Sequence, residues 1–328
     1  MGLFTLLVCF VVFAWLFRSL ANTPYSGSLF KGGGGLFKGI FRLGFPMTLR
    51  EMLGMNRLGG SRFLKPSEQR ELFHPRNDGL LIDGQKARLD QQTSFTHVAI
   101  ISPTGGGKTT RYVIPNLLTL ERCSMVVTDP SGELFARTSG YLEAKGYRVR
   151  VVNPTDPRMS LGYNPLAKVS NPLESGEVAH ILLESSLSKE GGKDAFWNQG
   201  AETLIDILIQ CLKRSREPGF ATLSNVLYCL QNFGERGAGL DSFIEQYASE
   251  SVYNQYVGLI QAPEKTLGSW VATATTALRM LNIPEMAYVT GFDDIRFSEL
   301  RETPTVLYVI VPSEKISFYA FFLNLFYT

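Results

Sequence analysis

Cysteine and histidine are scarce and scattered. Cys9, Cys123, Cys211 and Cys229 form no C-x-x-C pair, and His74, His97 and His180 are equally isolated. Such spacing argues against a disulfide framework or a zinc site and suits free thiols in a reducing compartment. An excess of charge is also lacking. With 32 Lys and Arg against 30 Asp and Glu, the net charge of +2 gives no bulk argument for nucleic acid, so that partner must be argued from local patches or from resemblance. The composition of a disordered chain is absent too. At 45% hydrophobic and 19% charged over 328 residues, the sequence supplies a full core with room for an inserted second domain.

One apolar run stands out in length. Leu3 to Phe17, with Arg18-Ser19-Leu20, is just long enough to cross a ~30 Å hydrocarbon core as a helix. A signal peptide would carry a basic start and a small-residue cleavage site, and neither is clear here. From Arg18 to Arg76 there are ten Lys or Arg against three Glu, a local charge of +7. By the positive-inside rule that side is cytoplasmic, so we expect the helix to run with its N-terminus outward. Leu29-Phe30-Lys31-Gly32 recurs as Leu36-Phe37-Lys38-Gly39 around four glycines, which reads as a juxtamembrane segment lying on anionic lipid or as a solvated linker.

The centre of the reading is Thr96 to Thr110, THVAIISPTGGGKTT. Val98 to Ile101 suits a buried strand. Ser102, Pro103, Thr104, Gly105, Gly106, Gly107, Lys108, Thr109 and Thr110 then read as a phosphate-binding loop, because successive glycines let backbone N–H groups turn inward around an anion. A helix starting within the loop adds its positive dipole end, Lys108 reaches the β/γ-phosphates, and the Thr109 hydroxyl holds Mg²⁺. Ser102 stands where the usual pattern has its first glycine. The competing reading is a Gly-rich surface turn with a solvated lysine.

Around this loop, Leu80-Leu81-Ile82 between Asn77-Asp78-Gly79 and Asp83-Gly84 looks like a hairpin strand. Arg111 to Leu120 continues as a helix despite Pro115. A strand at Ser124 to Thr128 ends in Asp129-Pro130-Ser131-Gly132-Glu133, followed by a helix from Leu134 to Lys145 and a strand at Arg148 to Val152. Alternation of this kind argues for an open parallel sheet with its ligand at the carboxyl edge. From Leu173 to Pro284 the spacing turns helical: Phe196-Trp197, Ala201, Leu204-Ile205, Leu208 and Leu212, then Phe220 to Phe233, Ser242 to Leu259 and Lys265 to Leu281. Phe196 and Trp197 read as core before they read as a base-stacking platform. Thr305 to Val311 returns to strand, and an apolar helix begins near Glu314. The expected organisation is a transmembrane helix at 1–20, a basic linker at 21–76, a nucleotide-binding domain at 77–172 and 285–328, and an all-helical insertion at 173–284.

Taken together, the segment 102–109, Thr128-Asp129-Pro130-Ser131-Gly132-Glu133, Tyr163-Asn164-Pro165-Leu166, Phe196-Trp197 and Pro304 to Val309 resemble the coupling proteins of type IV secretion, the TraG/TraD class of conjugative DNA-transfer ATPases. The resemblance implies an α/β, RecA-like motor that binds ATP and Mg²⁺ and assembles as a homo-hexamer at the inner membrane. It implies an all-α domain that recognises the relaxase–DNA nucleoprotein, and type IV secretion channel components as partners. A protein effector stays open as the substrate. Two departures stand out: one membrane helix where the family has two, and no later D-E motif ending an apolar strand. Catalytic residues are therefore unassigned. The family reading makes Asp129 a neighbour of the nucleotide site and Glu133 a helix cap. We expect a C-terminally truncated motor that binds nucleotide and hydrolyses it poorly or not at all; the alternative is a complete short protein in which Asp129 serves as the metal acid. Two other functions compete, an FtsK/HerA-type DNA pump and a nucleotide-binding scaffold without turnover.

Overall fold

The structure, a computed structural model, describes residues 63–186, 195–215, 217 and 219–328. The chain divides into two units, Met1–Glu71 and Leu72–Thr328. The expected transmembrane helix and the linker up to residue 62 lie outside the described residues. Among the described residues no helix is long and apolar enough to cross a membrane. Everything below concerns the second unit.

Three short runs rich in β-branched residues become strands: β1 (Met125–Thr128), β2 (Arg148–Val152) and β3 (Thr305–Val309). They pair in parallel in the order β1-β3-β2, with Val127 and Val151 both opposite Tyr308. β3 is buried at every position, as a central parallel strand covered on both faces must be. Alternation along it divides the core. Val306 and Tyr308 pack with Met125, Val127, Leu134 and Leu142, whereas Leu307 and Val309 join a larger cluster with Val152, Leu182 and Phe322. The fold is therefore α/β, with helices on both sides of a parallel sheet.

On the first side lie α1 (Ile114–Thr119) and α2 (Glu133–Ala144). Between β2 and β3 the described residues form helices: α3 (Pro172–Ser186), α4 (Ala195–Arg214), α5 (Leu223–Gln231), α6 (Asp241–Tyr247), α7 (Glu250–Ile260), α8 (Glu264–Ala277) and α9 (Pro284–Val289), with shorter helical turns between some of them. α4 is their hub. Leu204, Ile205, Ile207, Leu208 and Ile209 are all fully buried, so a wide apolar face of the helix is covered, and α3, α8, α7, α6 and α5 all pack on it. α10 (Ala320–Tyr327) closes this side against α3.

Tyr163-Asn164-Pro165-Leu166 joins the sheet to these helices. The Tyr163 hydroxyl donates to the Leu325 carbonyl of α10 at 2.6 Å, and Asn164 Nδ2 donates to the Ala221 carbonyl just before α5 at 2.8 Å. Asn164 Oδ1 also accepts from the Leu166 N–H, starting a one-turn helix. The Leu166 carbonyl in turn accepts from Lys213 Nζ of α4 at 2.8 Å.

Several sequence expectations need correction. Val98 to Ile101 is not a strand: β3 is flanked on both sides, no described strand lies alongside this segment, and Ile101 is 95% exposed. An apolar run without a ladder partner gains neither hydrogen bonds nor cover. Ser242 to Leu259 is two helices, because the chain leaves helical geometry at Ala248-Ser249 and the Ser249 hydroxyl caps α7 through the Val252 N–H. α10 starts at Ala320, after a 3₁₀ turn at Ser313–Lys315. Trp197 is 36% exposed and not a core residue: it lies in the first turn of α4, one turn short of Ala201, where full burial begins.

Candidate nucleotide-binding site

The loop 102–107 is exposed or half-buried and turns through two left-handed glycines, Gly105 at φ 77° and Gly107 at φ 84°. A side chain at either position would be strained. Gly106 is crowded instead: a Cβ there would displace the Ser102 hydroxyl and press on the Pro103 carbonyl. The Gly106 N–H donates to the Pro103 carbonyl at 3.1 Å, closing a tight turn.

Helix begins at Lys108, directly after Gly107, as the sequence reading expects. Its first stretch, Lys108–Val113, is π-helical, with Ile114 N donating to the Thr109 carbonyl. Pro115 accounts for the wide turn, since it has no N–H to give the Arg111 carbonyl and its ring crowds that turn. Lys108 folds back over the loop mouth, where Nζ donates to the Ser102 carbonyl at 2.7 Å and the Pro103 carbonyl at 3.1 Å. Thr109 is half-buried, and the Thr110 hydroxyl faces the Gly107 carbonyl at 3.4 Å. Ser102 to Thr110 thus lie together on one loop and helix start, with the Lys108 ammonium drawn over the mouth of the loop. These residues fit a bound polyphosphate.

Asp129 and Glu133 sit elsewhere in local terms. Asp129 is 1% exposed at the end of β1. Its Oδ2 accepts from the Phe135 N–H at 2.8 Å and Oδ1 from the Ser131 hydroxyl at 3.4 Å, while its own N–H donates to the Val309 carbonyl. The carboxylate therefore caps the start of α2, where the helix dipole favours negative charge. It also acts on a neighbour. Burial chiefly raises the Tyr308 phenol above its ordinary range, and the charge of Asp129 adds to that. Glu133 is half exposed and pairs with Arg137 one turn on, at 3.0 Å.

One residue that the sequence reading passed over is Asn116. It is 5% exposed inside α1 and uses its whole amide: Oδ1 accepts from the Leu81 N–H at 2.7 Å, and Nδ2 donates to the Leu81 and Tyr112 carbonyls, both at 2.8 Å. Nothing near Asn116 in the sequence signals this role, since its partner Leu81 lies 35 residues away.

Residues 65–328 match the family model described as Type IV secretory system Conjugative DNA transfer. The chain belongs to this family. Among curated relatives, the conjugal transfer protein TraG of Escherichia coli is 26% identical over 234 residues, covering 67% of this chain and 36% of that protein. Protein VirD4 of Agrobacterium fabrum is 24% identical over 220 residues, 66% of this chain and 32% of that protein. The chain spans about a third of the length of these relatives. Among solved structures, the unbound bacterial conjugative coupling protein TrwBdeltaN70 superposes with a TM-score of 0.57 at 16% identity, covering 82% of this chain and 57% of that one. The plasmid coupling protein TrwB in complex with ADP and Mg²⁺ gives 0.55 at 17% identity, covering 82% and 59%. At these identities the likeness to the family's solved members is one of fold.

Proposed function

We propose that this chain is a membrane-anchored coupling protein that binds Mg·ATP through a RecA-like domain and delivers DNA or nucleoprotein to a type IV secretion channel. In this reading it works as a homo-hexamer at the bacterial inner membrane, and the helices between β2 and β3 form a domain inserted into the motor that meets the substrate. Bound nucleotide supplies the phosphoryl chemistry. The chain's own residues would bind and orient it: the first N–H groups of the helix that starts at Lys108 would face the phosphates, Lys108 would neutralise their charge, and Thr109 would offer its hydroxyl to the metal. TrwB, solved with ADP and Mg²⁺, supports that cofactor pair.

The observation that carries the proposal is the Lys108 ammonium bonded to the Ser102 and Pro103 carbonyls across a loop whose glycines leave its backbone bare. A lysine in that place exchanges carbonyl oxygens for phosphate oxygens when nucleotide enters. Lys108→Ala should lower ATP affinity by roughly ten- to a hundredfold, the worth of one charge-assisted contact. Titration of the detergent-solubilised chain with fluorescent ATP checks this. Equal affinity in the variant and the parent would refute the nucleotide site.

A further inference from the structure

The helix that carries Lys108 is held from behind by a hairpin earlier in the chain. Gly79 N–H donates to the Leu89 carbonyl, Leu89 N–H to the Leu80 carbonyl and Ile82 N–H to the Ala87 carbonyl, at 2.7–2.9 Å. At its tip, the Asp83 carboxylate accepts from the N–H groups of Gln85, Lys86 and Ala87, and these bonds, led by that of Gln85, hold its pKa below the ordinary value. The hairpin is therefore a preformed piece.

It meets the helix at two points. Gly84, at φ 76°, packs so closely on the Arg111 carbonyl that a Cβ would collide with it. That carbonyl is the one Pro115 cannot engage. The second point is Asn116, whose amide bonds both polar groups of the Leu81 peptide and reaches back to the Tyr112 carbonyl in the π-helical stretch. From there the path runs into the loop, because the Arg111 side chain lies over Gly107, with Cδ 3.1 Å and Nε 3.3 Å from where a Cβ would stand.

We propose that Asn116 is a positioning residue for nucleotide binding. By pinning the Leu81 peptide to the turn at Tyr112, it holds the hairpin against the wide turn and sets the direction in which the first N–H groups of the helix and Lys108 face the phosphates. The proposal rests on the reading of 102–110 as a polyphosphate site. A π-turn interrupts the regular α-helical ladder, and the amide of Asn116 supplies a tie across it from outside the backbone. Binding and bracing are then reciprocal: if the hairpin favours the phosphate-competent loop, a polyphosphate in the loop must stabilise the hairpin by the same factor.

The test uses the full chain in detergent, with Mg·ATP and inorganic tripolyphosphate as probes. Asn116→Ala should weaken both probes alike, by about tenfold, roughly the net worth of one hydrogen bond. Gly84→Ala should act through the same joint, so the double variant should be little worse than either single one. Circular dichroism below the melting transition establishes that each variant is folded. A folded Asn116→Ala with parental affinity for both probes overturns the proposal, as does a double variant whose losses multiply. Amide hydrogen exchange on the parent needs no variant: tripolyphosphate should protect residues 79–89 together with 105–112, and unchanged exchange across the hairpin overturns the proposal. Lys108→Ala separates the two readings. If it binds tripolyphosphate as well as the parent does, the phosphate site itself is wrong; if it loses binding while Asn116→Ala keeps it, only the brace is wrong.

Discussion

Substitution of Asp129 separates a capping carboxylate from a metal-supporting one. In the structure its Oδ2 accepts the Phe135 N–H at 2.8 Å in an almost fully buried position, at the start of α2. A hydrogen bond to a charged acceptor contributes about 1.5–3 kcal/mol and a neutral one about 0.5–1.5, so Asp129→Asn, which keeps an acceptor oxygen, should cost about 1–2 kcal/mol. Asp129→Ala also leaves the Phe135 N–H without its acceptor and should cost about 2–4 kcal/mol. Urea unfolding of the detergent-solubilised chain, followed by far-ultraviolet circular dichroism, gives both losses. ATP affinity measured with Mg²⁺ and with EDTA gives the second readout. A cap lowers stability in the order Asn then Ala and leaves the gain in affinity from Mg²⁺ unchanged. A metal-supporting acid does the reverse, since its removal erases the Mg²⁺-dependent gain and leaves the nucleotide-free fold as stable as before or more so. That second pattern would refute the capping assignment.

Two more predictions concern the core. The Tyr308 and Thr138 hydroxyls are 2.6 Å apart in the buried layer between β3 and α2, and Thr138 also donates to the Leu134 carbonyl. Thr138→Val strands the Tyr308 hydroxyl and should cost about 1–3 kcal/mol, Tyr308→Phe about 0.5–1.5, and the double variant less than their sum; additive losses in urea unfolding would contradict the pairing. Burial pushes the Cys211 thiol up to about 12, with smaller effects from neighbours, the Cys229 thiol up to about 11 and the Tyr163 phenol up to about 12. The unfolded chain releases these protons near pH 8.5–10, so their contribution to stability is complete below about pH 8.5 and is lost as pH rises toward 12. Urea midpoints should fall between about pH 8 and 10.5, and Cys211→Val should flatten the fall; a flat or rising parental profile would count against it.

The parts of this fold that rest on neighbours in sequence were legible from it. β1, β2 and β3 read correctly because short runs rich in β-branched residues between turn signals form strands when a partner exists. Val98 to Ile101 has the same composition and failed, because composition does not report whether a neighbouring strand is there. The turn into a helix at Lys108 was legible for the same local reason, since the glycines that make it, Gly105 and Gly107, lie within three positions of the helix start. Asp129 could be placed at a strand end but not oriented, since the side chain's choice of the Phe135 N–H is made by packing. Asn116 was out of reach, because its partner Leu81 is 35 residues away and becomes a partner only when the hairpin folds back on α1.

The order of strands constrains how the chain can assemble. Among the described residues β1 and β2 are not ladder partners of one another; each pairs with β3, which follows β2 by about 150 residues. As the chain leaves the ribosome, β1 and β2 emerge with apolar faces and no partner. The intervening helices depend on shorter-range contacts around α4 and can collapse first. The sheet then closes in one late step, when Thr305–Val309 inserts between two strands that have been waiting. Until that step, TVLYV is the kind of segment that pairs with copies of itself on neighbouring chains. The strand order therefore makes the interval in which the middle strand goes unclaimed the point at which this chain is most exposed to self-association.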